Sequence, residues 1–146
     1  MENKLNERRF GDNRDMKTVF TNGVFDLFHY GHYLLLKRLC NHGDYIIVGV
    51  CSDESCIKGK RKPMCNWKKR ADVINNLKFV DEVIETPFGV DLTEEFYNLH
   101  KIDVQVQGDN YSPFPVAEKL GILNILGRTK GVSTSYMIPY WKKEHE

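Results

Sequence analysis

The stretch MKTVFTNGVFDLFHYGHYLLLKRLC, residues 16–40, changes its periodicity halfway along. Met16 to Thr21 is a short apolar run that stops at Asn22-Gly23, the pattern of a first strand and its turn. From Gly31 the period lengthens. Leu34, Leu35, Leu36, Leu39 and Cys40 recur on one side of a helix that ends near Asn41-His42-Gly43. A strand running into a helix opens a βα unit, so the fold depends on whether that unit repeats.

It does repeat. Tyr45 to Val50 is an almost wholly apolar run, which suits a strand buried on both faces. Trp67, Ala71, Ile74 and Leu77 return at helical spacing, and Phe79 to Ile84 reads as a strand. Asp91-Leu-Thr-Glu94 resembles a capping box opening a helix that carries Phe96 and Leu99. Ile102 to Val106 and Ile122 to Leu126 are two more strands, and Ser133 is a candidate N-cap for a last short helix that Pro139 ends. The order predicts an α/β protein with a doubly wound, Rossmann-like parallel sheet. Ligands in such sheets bind beyond the carboxyl ends of the strands. The loops after each strand therefore belong together as a candidate site.

The chain has 146 residues, one domain's worth, and 41% hydrophobic content, enough for one core. Residues 1–15 are polar and charged and read as a flexible leader; 16–146 form a single domain. Lys and Arg total 21 against 20 Asp and Glu, so bulk charge makes no case for nucleic acid or a membrane surface. No apolar run approaches the roughly 20 residues that span a bilayer. Cys40, Cys51, Cys56 and Cys65 include no C-x-x-C pair, and Cys40 and Cys51 sit in apolar patterns that predict buried, reduced thiols. A cytoplasmic protein is the expectation.

Three segments suit phosphate chemistry. In Asn22-GVFDLFHYG-His32, two histidines three apart project to one side of a helix start, around Gly31. Helix starts offer N–H groups and a positive dipole end to phosphates, and two imidazoles there add donors. Surface histidines or a metal pair would give the same spacing; the strand-to-helix setting with Gly23 and Asp26 favours phosphate. Arg128-TKGVST-Ser135 combines a guanidinium, Gly131 and several hydroxyls after the last strand, the composition a polyphosphate site asks for. Between Lys58 and Arg70 lie seven basic residues, a run that suits an anion; Lys58 and Lys60, beside Gly59, sit where a loop closes over phosphates. Only Trp67 interleaves an aromatic there, which argues against RNA binding.

Together, Gly-x-Phe-Asp-x-x-His-x-Gly-His and Arg-Thr-x-Gly-Val-Ser-Thr resemble the paired signature of the cytidylyltransferase family, over roughly residues 17 to 138. That family includes enzymes acting on glycerol 3-phosphate, phosphocholine and phosphoethanolamine. The resemblance implies a nucleotidyltransferase-type fold that transfers CMP from CTP to a phosphorylated alcohol, with Mg²⁺ on the leaving pyrophosphate and a homodimeric state. It implies that His29 and His32 stabilise the α-phosphate, that Lys58 or Lys60 contacts phosphates, and that Arg128, Thr129, Gly131, Ser133 and Thr134 hold the triphosphate. Gly23, Val24, Phe25 and Gly31 would line the nucleotide cleft, with Gly108, Asp109 and Asn110 beside ribose and base. Arg70 resembles a family arginine with a structural or phosphate role, and Asp81 lies near a segment resembling family dimer contacts.

Thr86-Pro-Phe-Gly and its surroundings look more like the choline and ethanolamine enzymes, and Phe88, Tyr111 and Asp26 are the expected acceptor-binding residues. Thr21-Asn22-Gly23 also resembles sugar-phosphate (heptose) adenylyltransferases, and the bare catalytic length resembles the glycerol-3-phosphate enzyme. Outside the class, a non-catalytic nucleotide-binding module on the same fold is the rival.

Overall fold

Five strands, β1 (Thr18–Gly23), β2 (Tyr45–Cys51), β3 (Glu82–Thr86), β4 (Val104–Gly108) and β5 (Leu123–Leu126), pair in the order β3-β2-β1-β4-β5, all parallel. The computed structural model describes residues 16–59, 61–109 and 113–127. Between the strands lie α1 (Tyr30–Arg38), α2 (Asp53–Lys58), α3 (Trp67–Asn75), α4 (Glu94–Leu99) and α5 (Pro115–Leu120).

The two-residue period of the strands divides the core in two. On one face Val19, Ile46, Val48, Val50 and Val106 pack with Leu36 and Leu39 from the first crossover and Ile74 from α3. On the other, Phe20, Tyr45 and Ile47 meet Tyr97 of α4 and Ala117 of α5. Fully burying a side chain such as Leu36 or Ile74 contributes about 1.5–3 kcal/mol. Both faces are covered, so every residue of β2 is buried, which is what its unbroken apolar run predicted. The doubly wound reading is therefore correct, and the strand order reverses between β1 and β4. That switch point sets the ligand cleft.

Several boundaries differ from the sequence reading. β1, β3 and β4 each start and end about two residues later than their apolar runs suggest, because the chain enters each strand through a polar amino end. There, Asp103 Oδ2 accepts from Thr18 N (2.7 Å), Asp81 Oδ2 from Ile46 N (2.8 Å) and Asp44 Oδ2 from Lys17 N (3.0 Å). Asp81 thus has a structural task at the amino end of β2. Thr93, not Asp91, caps α4, its hydroxyl accepting from Phe96 N; Asp91 lies in a preceding 3₁₀ turn, Gly89–Asp91. Helix α2 occupies part of the stretch read as a basic loop, and α5 was not foreseen, being short and opened by Pro115. Cys51 is buried as expected, and so is Cys56, but Cys40 is exposed. The first crossover tightens into a 3₁₀ turn at Leu39–Asn41, which turns Cys40 away from the sheet. The proposed leader and the Ser133 helix lie outside the described residues.

Candidate active site

After Gly23 the chain turns sharply through two non-glycine residues with positive φ, Phe25 (53°) and Leu27 (49°). Such backbone costs about 1–3 kcal/mol per residue and persists only where surroundings impose it. Two clamps impose it here. Asp26 accepts from two backbone N–H groups, Met64 (2.7 Å) and Cys65 (3.0 Å), so both carboxylate oxygens bond to the loop before α3. Arg70, 2% exposed, donates from Nη1 to Val24 O (2.8 Å) and Cys51 O (2.9 Å), from Nε to Cys65 O (2.9 Å) and from Nη2 to Asp53 Oδ1 (2.6 Å). Burial alone would raise the Asp53 pKa, but the Trp67 N–H and the guanidinium outweigh it and hold the carboxyl below its usual range. Arg70 is therefore a structural tie between the carboxyl ends of β1 and β2.

The turn delivers His29 to the N-cap of α1. Its Nδ1 accepts from Gly31 N (2.9 Å), while His32 Nδ1 accepts from His29 N (3.2 Å). The two rings stack at 3.9 Å in a reciprocal capping box. With both Nδ1 atoms accepting, the proton of each neutral ring belongs on Nε2. Each histidine is thus built as an Nε2–H donor at a helix start. Phe25 packs edge-on against His32 (5.6 Å) and Phe28 lies tilted beside it (5.4 Å). Burial, with the neighbouring His29, lowers the His32 pKa to about 4; burial also lowers that of His29. Both rings are uncharged donors near neutral pH.

This has a sign for stability. An unfolded His32 takes up a proton near pH 6.5, whereas the folded ring does so only near pH 4. Stability present above pH 6.5 is lost as pH falls toward 4. The expected loss is on the order of 2 kcal/mol, allowing for solvent screening of a partly exposed ring. Urea titrations at pH 7 and pH 4.5 check this, with His32→Gln reducing the difference.

A cleft of about 220 Å³ opens at the switch point, lined by the sequence candidates Gly23, Val24, Phe25, His32 and Gly108, by Phe88 from the acceptor set, and also by Asn22, Leu35, Cys51, Gly89, Gln107 and Phe114. His29 reaches this site through its stack on His32, and Gly31 serves as the donor that fixes His29. A second cleft of about 610 Å³ adjoins it, at the ends of β2 and β3. Lys58 and Phe88 line it with four carboxylates, Asp53, Glu54, Glu85 and Asp91. Phe88 belongs to both clefts. Lys58 stands in the last turn of α2 rather than in a loop, 3.4 Å from Glu54. Asp109 is exposed just beyond β4. Lys60, Asn110, Tyr111, Arg128, Thr129, Gly131, Ser133 and Thr134 lie outside the described residues.

Sequence reasoning missed a buried polar belt under the cleft. Tyr97 Oη donates to Gln105 Oε1 (2.6 Å), Gln105 Nε2 to Gln107 Oε1 (3.0 Å), and Gln107 Nε2 to Asn22 O (3.0 Å); Asn22 N returns a bond to Gln107 Oε1 (2.8 Å). No buried side-chain polar atom among the described residues lacks a partner. The alternation Val104-Gln-Val-Gln107 was the available signal, but it reads equally well as a half-exposed strand.

A cleft at the switch point of a parallel sheet, beside paired imidazole donors at a helix start, is where a doubly wound α/β fold takes its ligand. A family model described as cytidylyltransferase-like matches residues 20–143, and the chain belongs to that family of nucleotidyltransferases. It is 36% identical to a glycerol-3-phosphate cytidylyltransferase of Bacillus spizizenii, over 82% of this chain and 93% of that protein. It is 32% identical to an ethanolamine-phosphate cytidylyltransferase of Arabidopsis thaliana, again over 82% of this chain but only 31% of that protein. The chain therefore spans about a third of the length of some relatives and nearly all of others. Among solved structures, a lipopolysaccharide core biosynthesis protein from Thermoplasma volcanium superposes with a TM-score of 0.65 at 27% identity, covering 79% of this chain and 98% of that one. No helix among the described residues is long and apolar enough to cross a membrane.

Proposed function

We propose that this chain transfers CMP from CTP to a phosphorylated amino alcohol, phosphoethanolamine or phosphocholine, releasing pyrophosphate. An acceptor phosphate oxygen attacks the α-phosphorus in line; the new P–O bond forms as the bond to the β-phosphate oxygen breaks, and pyrophosphate carries away the electron pair. The acceptor oxygen is already anionic near neutral pH, so positioning and charge stabilisation are the main demands. His29 and His32 supply Nε2–H donors to the α-phosphate oxygens. The reciprocal Nδ1 bonding that fixes those donors is the observation that carries the reading. Gly23, Val24, Phe25 and Gly108 border the nucleotide, Lys58 meets phosphates, and Arg128, Thr129, Gly131, Ser133 and Thr134 hold the triphosphate.

Mg²⁺ accompanies the nucleotide in this proposal. There it would be ligated by phosphate oxygens and water. A homodimer, in the cytoplasm, completes the proposal.

The amino-alcohol preference rests on the second cleft. Of the four carboxylates that line it, Asp53 is tied to Arg70 and Glu54 to Lys58; Glu85 and Asp91, with the Phe88 ring on the wall, favour an ammonium head over a neutral polyol. Asp26 accepts from the Met64 and Cys65 N–H groups and so holds the turn, with remaining lone pairs for the acceptor. A second reading, an adenylyltransferase for a sugar phosphate, draws on the Thr21-Asn22-Gly23 resemblance, beside the likeness to a lipopolysaccharide core biosynthesis protein. Pyrophosphate release with CTP or ATP against phosphoethanolamine, phosphocholine, glycerol 3-phosphate and a heptose phosphate separates them. The expected result is turnover with CTP and the amino-alcohol phosphates, at least about tenfold higher in kcat/KM than with glycerol 3-phosphate. Turnover with ATP alone would sink the cytidine reading.

A further inference from the structure

Phe88 divides the two clefts, and its backbone is held from below by a side chain that the chemistry does not otherwise use. Asn22 is the next-to-last residue of β1 and is 5% exposed. Its Nδ2 donates to Pro87 O (3.1 Å), the carbonyl immediately before Phe88. Its Oδ1 accepts from the hydroxyl of Thr86, itself 2% exposed. That second bond fixes which way the amide faces: oxygen toward Thr86, nitrogen toward Pro87. Cys51 adds a weak link, its Sγ also 3.7 Å from Pro87 O. The thiol stays protonated, since burial raises its pKa to about 12. Gly49, the neighbour of Asn22 across the β1–β2 ladder, leaves room for this amide; a Cβ there would collide with Asn22 Oδ1. From the opposite side, Gly59 lets the Phe88 ring lie against the end of α2, where any Cβ would strike it.

We propose that Asn22, oriented by Thr86, is a positioning residue for acceptor selectivity, acting through Pro87 to set the Phe88 wall between the two clefts. The inference rests on the reading that the acceptor head meets Phe88. Asn22 also borders the nucleotide cleft, so the distinguishing observable is which substrate's KM changes.

The test compares wild type, Thr86→Val, Thr86→Ser and Phe88→Ala in steady state with CTP and phosphoethanolamine. Valine keeps the shape of threonine but cannot donate to Asn22, so the amide loses its orientation; serine restores the donor. The expected result is a roughly tenfold rise in KM for phosphoethanolamine in Thr86→Val, the scale of one lost hydrogen bond. KM for CTP should stay near wild type, and Thr86→Ser should recover most of the loss. If Thr86→Val does not fold, Asn22→Ser, too short to reach Pro87 O, is read the same way. An unchanged acceptor KM, or equal rises for CTP and acceptor, would overturn the proposal. Phe88→Ala separates the levels. If it leaves the acceptor KM unchanged, the acceptor reading itself fails. If it raises that KM while Thr86→Val does not, only the positioning role fails.

Discussion

His29→Asn and His32→Gln are each expected to lower kcat by about 10²–10³-fold, the effect of removing one preorganised donor from a developing anion. These substitutions are chosen because the histidines do two things at once. His29 is the N-cap of α1, and His32 returns a bond to its backbone. Alanine would remove a cap as well as a donor, at about 1 kcal/mol of stability. Asparagine is among the best N-caps, and glutamine at the third helical position completes a capping box. Each keeps the helix start and deletes the imidazole Nε2–H. Kinetics with CTP at saturating acceptor, alongside urea denaturation, separates the two effects. A large kcat loss with a denaturation midpoint close to wild type is the expected pair. Retained activity in both variants would remove the histidines from the chemistry.

Arg70→Met is expected to cost about 3–5 kcal/mol of stability, the range for removing one partner of a buried charge network. The guanidinium is almost fully enclosed and serves three carbonyls and one carboxylate across the ends of β1 and β2. Methionine fills much of the volume but satisfies none of them. Arg70→Lys should recover only part of the loss. An ammonium has three donors radiating from a point and cannot span four acceptors held by a planar fork. Urea unfolding read by tryptophan fluorescence measures both. A loss below about 1 kcal/mol in Arg70→Met would show that the tie contributes little.

How much of this was legible in the sequence depends on which force decides each feature. The parallel sheet was readable because β2, buried on both faces, must be apolar throughout, and Tyr45 to Val50 is. The histidine pair was readable because its spacing coincides with a change from strand to helical period. The roles of Arg70 and Asp26 were not readable from pattern. Arg70 stands in a run of lysines; the family resemblance allowed it a structural or a phosphate role, and only the tertiary fold, which encloses it, selects the structural one. Asp26 has the composition of a ligand-facing carboxylate, but a loop about 40 residues away in sequence supplies its two donors. The Gln105–Gln107–Asn22 belt was hidden for a related reason: buried amides are stable only as a closed network, and closure requires partners 85 residues apart.

The 3₁₀ turn that moves Cys40 to the surface has a practical side. Helix α1 starts at the histidines and runs back along the sheet, so Cys40 emerges beyond the far end of that helix from the site. Cys51 and Cys56 are enclosed and Cys65 is half-covered; burial further suppresses the thiolate of Cys51 and Cys56. The native chain thus carries a selective attachment point for a dye or a solid support, remote from the reacting groups, without any cysteine having to be engineered in or out.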